Sequence, residues 1–559
     1  MKRYILLLVM VSLIAVQVEA DDWVKGFGHK EGDVVVAGVV TDSEHNAIIT
    51  GNFSAAQLEL SETVTLRNNG TTDVFLVKYN SNGEIIWATS FGGMNEDQSS
   101  DIFVDGENNL YITGNFRSAS FSVGSTTISS TWPDNVYVAK FNPGGTLEWL
   151  KHSTRVTQWA FSRGVYCDKG LNVYFTGYTS SKEISFGNIN LQLNTMNNKG
   201  YYCKLDKDGN FEQAGLIGDL EDTRYVLNDI TADGVGNIYL AGRKTIHTDP
   251  DPITWIEYHD VMFFCKTAPG GSITWEVQDT AFHRAEKIVY DHDSLYVLGS
   301  REEYRSIFNG GTIDTTSRCY YGSFDVNGNI LWERSFTGAL AYDMYVDDRT
   351  LLVTGGLLLD DLELEGFHIS RNSDSSSICP IYQDIFYLET NKSGHIENLV
   401  GISGSLEDIP TGIWLADNGD LLYTGTFESA MLPVGQSEVY NDSELNIFQH
   451  VSGIYYDRRI YSFLARHQAY SGPTGTDGHT MDPFRVFPNP SSGLITVDPG
   501  SVTSVDRIQV FDTNGRIIYE TAPCQTPVPV NLSDQPQGLY ILSITAKNRV
   551  VRKTVLIIR

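Results

Sequence analysis

The chain has 559 residues, 41% of them hydrophobic, with 69 acidic against 40 basic side chains and a net charge of −29. A field that acidic disfavours nucleic acid, anionic polysaccharide and anionic membrane as partners, because like charges repel. Six cysteines in this length form no disulfide framework: Cys203 and Cys265 sit at equivalent, widely separated places in neighbouring repeats, and Cys167, Cys319, Cys379 and Cys524 are scattered.

The first twenty residues, MKRYILLLVMVSLIAVQVEA, carry Lys2 and Arg3, an apolar run from Tyr4 to Val16, and Val18-x-Ala20 before Asp21. This reads as a secretory signal peptide over 1–20, cleaved after Ala20 and too short in its apolar part to span a membrane.

From Trp23 to His467 a unit of some sixty residues recurs seven times. Its second strand reads AIITGNF (47–53), LYITGNF (110–116), NVYFTGY (172–178), NIYLAGR (237–243), LYVLGSR (295–301), LLVTGGL (351–357) and LLYTGTF (421–427). Each copy resolves into four strands with period-2 alternation, as in DIFVD (101–105), LYITGNF, VYVAKF (136–141) and LEWLKH (147–152). Asp, Asn and Gly fill the tight turns between the first and second and between the third and fourth strands, where positive φ is needed. They are read as turn chemistry and not as calcium loops, since no copy has the DxDxDG spacing. No cofactor or metal is expected, with calcium in the acidic loops as the alternative that no motif supports.

The opening DDWVKGFG (21–28) matches a fourth strand such as ILWERSF (330–336), while the seventh repeat supplies only three strands, ending with RIYSFLAR (459–466). The N-terminal strand therefore fits as the outer strand of the last unit, and the expected fold is all-β: a seven-bladed β-propeller over 21–470, closed by that strand. The phrase FLVKYNSNGEIIWATSFGG (75–93) with DIFVDGENNLYITGNF (101–116) resembles the bacterial propeller repeat called SBBP, and distantly the blades of quinoprotein propellers. The resemblance implies that Trp87, Trp149, Trp275 and Trp332 dock between blades. Phe211 and Asn398 replace that Trp in two copies.

After a Gly/Thr/Pro linker, 471–483, the composition changes and residues 484–559 carry net +3, which leaves about −33 on the propeller and linker. FRVFPNPSSGLITVD (484–498), IQVFDTNGRIIYE (508–520) and the stretch from Leu532 resemble the type A C-terminal sorting domain of type IX secretion substrates. The matching residues are Pro488, Asn489, Pro490, Gly493, Gly515, Gly538 and Tyr540. The resemblance implies a small β-sandwich, engagement of the type IX secretion machinery, transit through the periplasm and outer membrane, and a Gram-negative source of the Bacteroidetes kind.

Long connections between second and third strands, for example 179–200, 244–260 and 428–458, emerge on one face of the disc together with the links from each unit to the next. Binding residues concentrate on such loops. Candidates there are Trp132, Trp159, Arg224, Tyr225, Trp255, His283 and Arg284, aromatic platforms and charged groups suited to an extracellular glycan or protein ligand. No HExxH, GxSxG, Walker A or CxxC motif occurs, so no catalytic residue is assigned. The expected function is a surface binding or adhesion module. The alternatives are a glycoside hydrolase or polysaccharide lyase on the same face, and a structural surface component.

Overall fold

The computed structural model describes residues 22–467 and 485–557 with breaks, the longest internal ones being 249–256, 303–316 and 371–382. The signal peptide and the linker lie outside the described residues. Two compact units are present, divided near Gly472. The described secondary structure is entirely β and propeller-like.

In the first unit, antiparallel arrays of four strands follow one another along the chain; six have those strands hydrogen-bonded in sequence order, and the second is extended to six strands by the hairpin Glu183–Phe186/Ile189–Gln192. Their first strands are Val34–Thr41, Asp97–Val104, Ala160–Cys167, Arg224–Ala232, Arg284–Asp291, Ala339–Val346 and Asp408–Leu415, which define sheets one to seven. The fourth strand of sheet seven is Trp23–Phe27, paired antiparallel with Tyr461–His467 so that Trp23 faces Arg466. Each first strand touches the first strand of the next sheet, and that of sheet seven touches that of sheet one. The second and third strands are buried along nearly their whole length, as their continuous apolar runs require.

The first strands begin earlier than their apolar patterns suggest. In sheet two the strand starts at Asp97, not Asp101, because a register shift between Ser99 and Asp101 breaks the alternation. A shift recurs at the matching place in every sheet, at Gly38, Asp101, Val165, Asp229, Lys287, Asp343 and Gly412. Several long connections are themselves hairpins, among them Glu183–Phe186 with Ile189–Gln192 and Asp361–Leu364 with Phe367–Ser370.

Fourth-strand tryptophans tie sheets one, two, four, five and seven each to the next. Trp87 Nε1–H donates to the Pro143 carbonyl at 3.2 Å, Trp149 to Lys207 at 3.2 Å, Trp275 to Val326 at 3.1 Å and Trp332 to Lys392 at 2.9 Å. Trp23 repeats the contact from sheet seven to Ser81 of sheet one at 2.9 Å. Every acceptor lies in the turn between the third and fourth strands of the following sheet. A glycine with positive φ lies under each ring: Gly83, Gly145, Gly209, Gly328 and Gly394. A Cβ on Gly394 would come within 2.6 Å of Trp332, so the turn residue serves the indole as well as the backbone. Asn398 now has a physical reason: sheet seven takes its fourth strand from the other end of the chain and has no such turn to receive an indole.

The second unit has one sheet of Arg485–Phe487, Leu494–Asp498 and Val528–Asn531, and another of Ile517–Thr521, Arg507–Phe511, Gly538–Ala546 and Arg549–Ile557. Ile495, Val497, Ile508, Val510, Val530, Leu542 and Ile544 from both sheets form one buried cluster.

Truncating one tie should be costly. Trp332→Ala is expected to lower stability by at least about 2 kcal/mol, through lost apolar contact and an orphaned carbonyl, and Trp332→Phe by about 1 kcal/mol. Denaturant unfolding of the two variants against the parent measures both, and an unchanged stability of Trp332→Phe would show that the indole N–H contributes nothing.

Candidate functional site

Two cavities place chemistry-bearing residues together, and they differ in how visible they are in the sequence. The larger, about 770 Å³, opens at the ends of sheets three to five on the face carrying the long connections. It is lined by Asn198, Arg224, Arg243, Thr245, His259, Asp260, Thr280, His283 and Arg301. Three guanidinium groups and two imidazoles thus surround one carboxylate. Asp260 is engaged by Arg243 Nη1 at 3.0 Å and by the Thr245 hydroxyl at 2.5 Å. Such a lining is a local reversal of the field expected from a chain of net −29.

Of the residues singled out from sequence, Arg224 and His283 line this cavity. The Glu302 backbone N–H donates to His283 Nδ1 at 3.3 Å, so the neutral ring carries its proton on Nε2 and presents a donor. Arg284 lies beside it, half-buried and bound to Glu286 and Glu302. Burial works against its charge, and the two carboxylates more than offset that. Tyr225 is buried, edge-on to Phe263 with ring centroids 5.4 Å apart and with Lys244 over its face, so it packs the interior instead of meeting a ligand. Trp159 is half-buried and clusters with Phe161 and Tyr178, at centroid distances of 5.5 and 5.8 Å. Trp132 and Trp255 lie outside the described residues. Sequence inspection passed over Arg243, within the strand Ile238–Thr248, and His259 and Arg301, near strand ends, because an isolated basic residue carries no signal.

The second cavity, about 330 Å³, runs among the first strands of all the sheets. Its polar centre is Lys287, whose Nζ lies 3.5 Å from Asp343 and 3.7 Å from Asp101, with Asp229 beside it. Each carboxylate also accepts a backbone N–H from the following sheet: Asp101 from Val165, Asp229 from Ile288 and Asp343 from Ile413, at 2.9–3.0 Å. These are the shifted positions of the first strands, where the extra residue turns a side chain inward. Burial disfavours the ammonium, but three carboxylates outweigh it and hold Lys287 charged. Burial pushes Asp229 from its ordinary 3.8 up to about 7, with Lys287 opposing. Phe103, Tyr166, Tyr345 and Trp414 complete an apolar wall.

The Asp residues of the tight turns are occupied as turn chemistry requires. Asp105 Oδ1 accepts from the backbone N–H groups of Glu107 and Asn109, and Oδ2 from the Asn109 amide and the Tyr111 hydroxyl. Asp168 and Asp233 repeat the arrangement. Cys167, Cys203, Cys265 and Cys319 are buried free thiols, and burial pushes the Cys167 thiol up to about 12.

In the tail, Gly493 holds φ at +117° and its carbonyl accepts from Leu532 N–H at 2.6 Å. The buried Tyr540 donates its hydroxyl to the Pro536 carbonyl at 2.7 Å, and Gly538 pairs with Ile557. Pro488, Asn489, Pro490 and Gly515 lie outside the described residues.

The axial charge cluster makes stability depend on pH. A carboxyl raised on folding contributes stability that is complete below its unfolded value and is lost as pH rises through its folded one. For Asp229 that window runs from 3.8 to about 7. Asp229→Asn should therefore shift the melting temperature upward at pH 8 relative to its effect at pH 4, whereas Lys287→Met should cost on the order of 3 kcal/mol, most of it above pH 7. Thermal scans of both variants across pH 4–8 test the sign, and a pH-independent offset for Asp229→Asn would refute it.

Residues 485–558 match the family described as secretion system C-terminal sorting domain. A stretch of 178 residues, 27% of this chain, is 24% identical to an uncharacterised WD repeat-containing protein of Acanthamoeba polyphaga mimivirus, of which it covers 13%. A stretch of 83 residues, 15% of the chain, is 30% identical to an ulvan lyase of Nonlabens ulvanivorans, of which it covers 15%. The chain thus spans under a sixth of either relative's length. Among solved structures, a Synechocystis apocarotenoid oxygenase is similar at 8% identity and TM-score 0.38, over 78% of this chain and 96% of that one. Virginiamycin B lyase of Staphylococcus aureus is similar at 11% identity and TM-score 0.28, over 60% and 96%. No helix among the described residues is long and apolar enough to cross a membrane. The tail is a type IX secretion sorting domain, and the protein is exported by that route to the cell surface or the extracellular space.

Proposed function

We propose that this protein is a seven-bladed SBBP-type propeller, closed by its N-terminal strand and displayed outside the cell, that works as a binding or adhesion module. Its sorting tail is a β-sandwich that engages the secretion machinery. The ligand is an anionic glycan, carrying carboxylate or sulfate, held in the cavity at the ends of sheets three to five. One observation carries this reading: Arg224, Arg243, Arg301, His259 and His283 converge on a 770 Å³ cavity of an otherwise strongly acidic protein. Guanidinium forks match planar oxyanions in two hydrogen bonds at once, which a flat acidic surface does not supply. The half-buried Trp159, Phe161 and Tyr178 on the same face offer sugar-stacking area.

Two histidines among arginines also favour a second reading, a polysaccharide lyase, in which arginine would neutralise a uronate and a histidine would take the proton beside it. Against it, His283 presents its N–H side and not a lone pair when neutral, an arrangement suited to donating a hydrogen bond.

The mature protein should bind polygalacturonate or dextran sulfate but not neutral dextran, with affinity falling as salt rises. Arg224→Glu should weaken binding at least tenfold, about 1.4 kcal/mol, without changing the melting temperature, since Arg224 is exposed. Equal binding of charged and neutral polymers would overturn the ligand assignment. Ultraviolet absorbance from an unsaturated product would replace the binding module with the lyase.

A further inference from the structure

The cavity among the first strands carries chemistry that the anionic-glycan reading leaves unused. Beyond each register shift, every second residue of a first strand lines this cavity, and two layers result. The first layer holds Asp101, Asp229, Lys287 and Asp343. Two residues on, about 7 Å along the strand, come Phe103 and Tyr345, and Tyr166 and Trp414 join them from sheets three and seven. These rings stand in edge-to-face pairs, Phe103 with Tyr166 at 5.1 Å between centroids and Tyr345 with Trp414 at 5.0 Å. The Trp414 indole is fixed by its Nε1–H, which donates to the Thr41 hydroxyl at 3.0 Å.

The polar layer is only half paired. Asp101, Asp229 and Asp343 each use Oδ2 for a backbone N–H of the following sheet. Their Oδ1 atoms accept no hydrogen bond from the described residues. Lys287 Nζ stands 3.7 Å from Asp101 Oδ1 and 3.5 Å from Asp343 Oδ1, beyond the usual N–H···O range of about 2.7–3.2 Å. Asp229 is 6% exposed, so its Oδ1 is held away from bulk water with no donor supplied by the protein. Lys287 and Asp343 nevertheless keep 25% and 17% of their side-chain surface accessible, which shows that the cavity reaches the polar layer.

We propose that this cavity binds a primary aromatic amine in its ammonium form, with the N–H groups donating to the open Oδ1 atoms and the ring lying against the aromatic layer. Its volume, about 330 Å³, falls within the range of roughly 300–1,000 Å³ found for small-molecule sites. Three carboxylates face a single ammonium, so a cation is drawn in, whereas an anion would have Lys287 alone to meet. A primary ammonium brings three donors to three open acceptors, and a quaternary one brings none. The faces of Phe103, Tyr166, Tyr345 and Trp414 attract a cation, and their edges pack against an aromatic body. A short alkyl stem carries the ligand from one layer to the other. None of this depends on what the arginine-lined cavity binds.

The test titrates the full mature chain at pH 8, by isothermal calorimetry, with phenethylamine, phenethyl alcohol, phenethyltrimethylammonium and spermidine. Phenethylamine should bind once per chain, and the alcohol and the quaternary analogue at least tenfold more weakly. Asp229→Asn should weaken phenethylamine at least tenfold without lowering the melting temperature, and Asp343→Asn gives the same reading should the first variant fail to fold. Phe103→Leu, which keeps an apolar wall, should weaken phenethylamine several-fold and leave spermidine unchanged. Equal affinity for the amine and the alcohol overturns the proposal, as does an amine affinity that neither aspartate variant changes. Tighter binding of spermidine, which carries charge without a ring, would reduce the polar layer to a counter-ion site and overturn the ligand class. Absence of binding by all four would overturn the site and assign the open oxygens to buried water.

Discussion

The pairing of Trp23–Phe27 with Tyr461–His467 is the constraint on which the other contacts of the first unit depend. It joins residues more than four hundred positions apart, a contact that local sequence cannot nucleate and that forms only when the intervening sheets are in place. Its chemistry is stronger than a plain ladder. Trp23 donates to Ser81 in sheet one, and the buried Arg466 binds both Asp420 of its own sheet and the Ser81 carbonyl. One strand end thereby fixes two sheets, and the sheet-to-sheet Trp contact passes across the break in the chain without interruption. Without Trp23–Phe27, Tyr461–His467 would be the outer edge of sheet seven, a longer strand than the five residues that cover it.

Around that frame charge is distributed by position, not by composition. The net −29 argues for repulsion of anions, and over most of the surface that argument holds. It says nothing about 770 Å³ at the ends of three sheets, where the guanidinium groups of Arg224, Arg243 and Arg301 are gathered from strands 77 residues apart in sequence. Net charge governs long-range approach, whereas binding is decided within a Debye length, about 8 Å at physiological salt. A locally cationic cavity in an acidic surround also discriminates: oxyanions are attracted only where guanidinium groups face them and are repelled elsewhere, which suppresses nonspecific adhesion.

How much of this was legible in the sequence follows from the range of the forces involved. The second strands, the tight turns and the pairing of the chain's first strand with its last repeat were readable, because period-2 burial and positive-φ turns are local properties. The exception at Asn398 was visible as a departure but inexplicable without knowing that the next sheet lacks a receiving turn. Tyr225 looked like a loop aromatic and is core, since the strand starts at Arg224 and turns the ring toward Phe263. The axial group of Asp101, Asp229, Lys287 and Asp343 could not be found by pattern, because register shifts remove those residues from the alternation that marks inward positions.

Those shifts explain why polar residues are tolerated at the axis at all. An inward side chain on a regular first strand would crowd the narrow centre, and the sheets that carry no charge there have Gly38, Gly164 and Gly412 at or within the shift. Gly164 is required by its neighbour: a Cβ there would come within 2.7 Å of Asp229 Oδ1. Three sheets thus give up side-chain volume, three supply a carboxylate that caps an N–H of the following sheet, and one supplies the ammonium that balances them. The first strands are joined by hydrogen bonds from sheet to sheet, and Lys287 is what keeps three converging carboxylates compatible with burial.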